Sequence, residues 1–143
     1  MEKLVKILCI CFLFAIFNLQ AMAKEVKFVH ITDINLKEEN AYKLQRTIKE
    51  INSMKDIDFV VFGGNNIAKT NINNLNYFIY LLKTSKKPSY VLLGSNDVST
   101  STGIDKEYYL KRVRLARFFR HSKEPNYVFK KNGYVFVAMD GSK

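Results

Sequence analysis

Cysteine is nearly absent. The only two, Cys9 and Cys11, lie close to the N-terminus. The remaining chain therefore has no disulfide framework, no thiolate metal site and no cysteine nucleophile. Acidic side chains are scarce too, 13 against 23 Lys and Arg, which leaves a formal charge of +10. That balance favours anionic partners such as phosphates, nucleic acid or acidic lipid surfaces, and it equally describes a solvated lysine-rich surface. There is no low-complexity tract and no linker, and no apolar run reaches the roughly 20 residues that a spanning helix needs. With 143 residues, the chain has room for one domain with a real core, but not for two.

The longest apolar run, Ile7 to Leu19, follows Lys3 and Lys6 and precedes Ala21-Met22-Ala23. A basic start, a short apolar centre and small residues at a peptidase site make residues 1–23 read as a secretory signal peptide with cleavage expected before Lys24, an uncleaved membrane anchor being the other reading of the same run. Neither cysteine adjoins that site, which argues against a lipoprotein anchor. The expected location is secreted, periplasmic or in the cell envelope. No stable membrane span is expected, and export makes nucleic acid a poor partner. The domain is then 24–143.

Within it, apolar runs of strand character alternate with helical periodicity. Val26 to Thr32, Asp58 to Phe62 and Tyr90 to Leu93 read as strands. Asn40 to Ser53, Asn71 to Lys83 and Asp105 to His121 read as the helices that follow them. Tyr127 to Phe129 and Tyr134 to Ala138 flank Lys130 to Gly133 as a β-hairpin. The order β-α-β-α-β-α-β-β predicts an α/β fold, a mainly parallel sheet flanked by helices. Right-handed crossovers then put the first three strand ends on one edge. The chain ends soon after the hairpin, with no helix to cover the sheet, as an interrupted domain would.

Each of the three parallel strands runs into a loop of Gly, Asn and Asp: Asp33-Ile34-Asn35, then Gly63-Gly64-Asn65-Asn66, then Gly94-Ser95-Asn96-Asp97. Sites in open α/β sheets lie just outside such strand ends. Loops of oxygen donors on a basic chain suggest a divalent-metal and phosphate site, because phosphoester hydrolysis needs phosphate charge neutralised and hydroxide produced at neutral pH.

Taken in this order and spacing, the three loops resemble the N-terminal half of the calcineurin-like metallophosphoesterases, over roughly Lys27 to Ser142. That family reads strand–Asp-x-His, strand–Gly-Asp and strand–Gly-Asn-His-Asp/Glu. The resemblance implies an α/β sandwich, metal-dependent phosphoester hydrolysis and divalent ions (Mn, Fe, Zn or Mg). It also implies metal positions at Asp33, Asn35, Asn65 and Ser95, and leaving-group positions at Asn96 and Asp97. Only Asp33 keeps the family ligand. Asn35 stands where a ligand His is expected, Asn65 where the bridging Asp is, and Ser95 where the ligand Asn is. Asn96 replaces the His that protonates the leaving group, and Asp97 matches the acid that orients it. The later Gly-His-x-His motif lies beyond this chain, so a second chain supplying the missing half is one expected partner. Asn65 is neutral, so the bridging charge is lost, and an imidazole-preferring ion gains little from Asn35. A single hard cation, held by Asp33 and waters, is the most these loops could support.

The expectation is thus an exported family domain, inactive or very weak as a hydrolase: a pseudoenzyme. Two other readings remain open. One is a non-catalytic envelope protein that binds a phosphate-bearing small molecule or another anionic ligand. The other is a truncated product without independent function. His30 is expected in the core of the first strand. The cations of the third helix and its exit, Lys106, Lys111, Arg112, Arg114, Arg117, Arg120 and Lys123, are expected on a solvated face, with His121 completing the helix end.

Overall fold

The structure, a computed structural model, describes residues 24–116 and 124–142. The expected signal peptide lies outside the described residues, as do Arg117, Arg120, His121 and Lys123. Eight regular elements follow in order: β1 (Phe28–Ile31), α1 (Ala41–Ser53), β2 (Phe59–Phe62), α2 (Ile72–Leu82), β3 (Ser89–Val91), α3 (Lys106–Val113), β4 (Tyr127–Lys131) and β5 (Tyr134–Ala138). Strands β1, β2 and β3 form a parallel sheet in that spatial order, with Phe28 opposite Phe59 and Val60 opposite Ser89. The fold is α/β, as the alternation of strand and helix patterns predicts.

Residues of β2 alternate between two cores, because successive side chains point to opposite faces. Val60 and Phe62 pack with the helices, against Leu44, Ile48 and Ile51 of α1, Leu75, Phe78 and Ile79 of α2, and Tyr109 and Val113 of α3. Phe59 faces the other way and packs with Tyr90, Tyr127 and Ala138. Its ring stacks on Phe28 at 5.0 Å and meets Phe129 and Phe136 edge-on at 5.4 and 5.1 Å. Such aromatic pairs contribute about 0.5–1.5 kcal/mol each beyond the area they bury.

The expected hairpin is present, as an antiparallel pair distinct from the parallel sheet. It packs on the sheet face opposite the helices, where among the described residues no helix lies. Tyr127 fixes it there, its buried hydroxyl donating to the Val91 carbonyl at 3.1 Å. The hairpin turn is shorter than the expected Lys130 to Gly133. Only Asn132 and Gly133 form it, both with positive φ (50° and 89°), the two-residue geometry that suits a right-twisted hairpin.

The helix ends follow local chemistry. The Asn71 side chain accepts from the Asn73 and Asn74 N–H groups and starts α2. The Asp105 carboxylate accepts from Tyr108 N–H at 2.7 Å and starts α3. That helix ends at Val113 and a turn follows through Ala116, while the remainder of the expected span to His121 lies outside the described residues. Among the described residues no helix is long and apolar enough to cross a membrane.

Candidate functional site

The pairing of β1 with β2 continues past the strand ends as a run of backbone bonds. Asp33 N–H donates to Gly64 O at 3.1 Å, Asn35 N–H to Asn65 O at 2.8 Å, and Leu36 N–H to Asn66 O at 3.0 Å. The third loop joins through Thr70, whose N–H and hydroxyl both donate to Asn96 O. All three loops therefore meet at one edge of the sheet. Their backbone is unusual. Asp33, Asn35, Asn65, Lys69 and Thr70 have φ of 53°, 44°, 50°, 52° and 31°. Asn and Asp tolerate this left-handed region, whereas a β-branched Thr there is a genuine outlier. Such strain concentrates at functional sites and persists only where surroundings enforce it.

Four residues close into a ring, through side chains and two main-chain groups. Asn65 Nδ2 donates to Asp33 Oδ1 at 2.8 Å. Asn65 Oδ1 accepts from Asn96 N–H at 3.1 Å. Asn96 Nδ2 donates to Asn35 Oδ1 at 2.9 Å, and Asn35 Nδ2 returns to Asp33 O at 3.2 Å. Chemistry fixes the orientation of the Asn65 amide. Turned over, it would set an oxygen against the Asp33 carboxylate and an NH2 against the Asn96 N–H. The second Asp33 oxygen accepts from the Thr32 hydroxyl at 2.9 Å. The Asn65 amide, and after it the Thr32 hydroxyl, hold the exposed Asp33 carboxyl below its ordinary pKa, since both bonds favour the charged form.

Asn65 is pinned from the other side by Gly94. A Cβ at position 94 would collide with the backbone nitrogen and side chain of Asn65, so glycine is what lets loops two and three approach this closely.

Asp97 points away from the ring. It is fully buried, and its Oδ2 accepts from Gly94 N–H at 2.8 Å and Asn66 Nδ2 at 3.1 Å. Its Oδ1 accepts from Ile67 N–H at 2.9 Å. This one carboxylate ties loop two to loop three beneath the ring. Burial raises its pKa to about 6 against the opposing pull of these donors. Beside it, among the described residues, neither the buried Tyr109 hydroxyl nor Asn66 Oδ1 meets a partner at hydrogen-bond geometry. Burial, and after it the Asp97 charge, push the Tyr109 pKa well up.

Ser95 is exposed and lines a separate cleft of about 690 Å³ with Val98, Ser99, Thr100, Asp105 and Lys106. Of the six positions expected at a site, the fold thus joins Asp33, Asn35, Asn65 and Asn96. Ser95 lies to one side, and Asp97 is underneath. Asn66 and Thr70 carry inter-loop bonds that the sequence did not announce: a second Asn in a glycine turn, and a Thr four residues on, have no distinguishing pattern. His30 corrects another expectation. It is exposed, as is Phe28 on the same face of the edge strand β1, which the hairpin meets only through an edge-on contact with Phe136. The cations Lys111 and Arg114 are exposed, while the Lys106 ammonium is paired with Asp140 at 2.6 Å.

The donor set does not fit a dinuclear metal centre. Among the described residues no group of three or more His, Cys, Asp or Glu side chains could hold a metal ion. The ring offers one carboxylate and three neutral amides, and an amide NH2 is aimed at the carboxylate oxygen where a cation would bind.

Comparison with known families supplies the remaining observation. The family model for calcineurin-like phosphoesterases matches residues 26–142, a span that takes in both sheets and all three loops. No curated relative matches the chain.

Proposed function

The chain belongs to the calcineurin-like phosphoesterase family, and on that premise we propose that it is an exported, hydrolytically silent member. The observation that carries the proposal is the 2.8 Å bond from Asn65 Nδ2 to Asp33 Oδ1. Where the family's chemistry needs carboxylates around divalent cations, this chain sets a neutral hydrogen-bond donor. Asn96, at the leaving-group position, has a side chain that cannot shuttle a proton, and such a general acid typically contributes about 10²–10⁴-fold. Export rests on the Lys3/Lys6, Ile7–Leu19 and Ala21–Ala23 pattern.

The test is hydrolysis of an activated aryl phosphodiester by the purified chain with Mn²⁺ in excess. The expected rate is indistinguishable from that of buffer with Mn²⁺. Turnover well above that background, abolished by Asp33→Ala, would falsify the proposal.

The charge of +10 supports a second reading, in which the same domain holds a phosphate-bearing or otherwise anionic ligand without turning it over. Calorimetry with inorganic phosphate in the presence of EDTA addresses it: saturable heat supports that reading, and none removes it.

A further inference from the structure

In a metal centre, side chains from separate loops are held together by the cations they share. Here the side chains of Asp33, Asn35, Asn65 and Asn96 bind one another or one another's backbone. We infer that the Asp33–Asn65–Asn96–Asn35 ring takes over the structural work of the metal ions, so that the three loops keep their arrangement with no divalent cation bound. The inference rests on the reading of Asn65 given above, and goes beyond it to say what organises the loops instead.

Every joint of the ring but one crosses between loops. Asp33 to Asn65 links the first and second. Asn65 to Asn96 links the second and third, and Asn96 to Asn35 links the third back to the first. The last, Asn35 to Asp33, closes the circuit within the first loop. The ring contains a single negative charge, so there is no repulsion between carboxylates for a cation to relieve.

Nor can Asn65 easily swing aside to admit one. Its carbonyl accepts from Asn35 N–H, its side-chain oxygen from Asn96 N–H, and its atoms fill the space that Gly94 leaves open. A cation would have to displace the Asn65 NH2 and would gain only Asp33 as a charged ligand, whereas divalent ions of this kind bind through several charged or imidazole donors.

Exchanging the amide for a carboxylate should reverse this logic. Asn65→Asp places two carboxylates at hydrogen-bond distance on loops that cannot separate freely. The variant then depends on a cation for what the natural chain does alone. The double variant Asp33→Asn/Asn65→Asp swaps donor and acceptor, restores one amide–carboxylate bond in the opposite sense, and removes the dependence.

Thermal unfolding of the full chain and both variants, in EDTA and in excess Mn²⁺ or Mg²⁺, tests this. The natural chain melts at the same temperature in all three conditions. Asn65→Asp melts several degrees lower in EDTA and regains those degrees with Mn²⁺. The double variant melts near the natural chain in EDTA. A natural chain that loses stability in EDTA or gains it from Mn²⁺ overturns the inference, as does an Asn65→Asp variant that is as stable as the natural chain in EDTA. If Asn65→Asp does not fold at all in EDTA, the double variant decides: a folded double variant supports the ring, an unfolded one refutes it. The hydrolysis assay is a separate readout. Turnover by the natural chain without any metal-induced shift in its own melting overturns the silent-enzyme reading alone, and such a shift of the natural chain without turnover overturns the ring alone.

Discussion

Asp97→Asn should change how stability depends on pH in a direction opposite to that of most carboxylates. An Asp in an unfolded chain titrates near ~3.9. In the folded chain Asp97 titrates at about 6, raised by burial against three hydrogen-bond donors. Between those values the folded state binds the proton more tightly, so ionisation works against folding. The contribution is fully present below pH ~4 and is lost as pH rises through about 6. A difference of about 2 pKa units corresponds to about 3 kcal/mol. Asp33, Asp58 and Asp140 have lowered pKa values and act in the other direction, so the natural chain's profile alone would blend opposing trends. Subtracting the profile of Asp97→Asn, which cannot titrate at that position, isolates the one group. Urea unfolding at pH 4, 5, 6 and 7 should show the natural chain losing about 2 kcal/mol relative to the variant across the series, the rest of the effect lying below pH ~4. A difference that stays flat, or that grows in favour of the natural chain as pH rises, would refute the assignment of Asp97 as a carboxylate held neutral by burial at acid pH.

Two further substitutions test how the loops and helices are positioned. Gly94→Ala should lower stability by about 1–3 kcal/mol, the usual cost of overpacking, because the new methyl group meets Asn65; denaturant unfolding measures the loss, and amide spectra should show Asn65 and Asn96 shifting most. Asn71→Ala removes the acceptor for two N–H groups at the start of α2 and should cost about 0.5–2 kcal/mol, while Asn71→Asp, which keeps the acceptor, should cost little.

Much of the architecture is legible in the sequence because it rests on local signals. The β-branched and aromatic runs before Asp33, Gly63 and Gly94 read as strands, of which β2 and β3 are buried and β1 lies half-exposed at the edge, and right-handed crossovers then force their ends together. The site is less legible because its positions lie in tight turns, where neighbouring residues face different ways. Ser95, Asn96 and Asp97 are adjacent in sequence. The turn closed by Asp97 N–H on Gly94 O sends the first toward an outer cleft, the second to the ring and the third into the core. Which amide donates to which oxygen depends on all three loops at once, so no single motif reveals the ring. His30 shows the same limit in a strand. Its alternation with Phe28 places it correctly on a face, but whether that face is covered depends on how far a hairpin about a hundred residues later happens to reach.

The account depends on the loops being organised without divalent cations, and the metal content of the purified chain measures this most directly. Dialysis against excess Mn²⁺, removal of free ion and elemental analysis should leave far less than one equivalent per chain, unchanged by Asp33→Ala. One or two equivalents retained by the natural chain and lost in Asp33→Ala would contradict it.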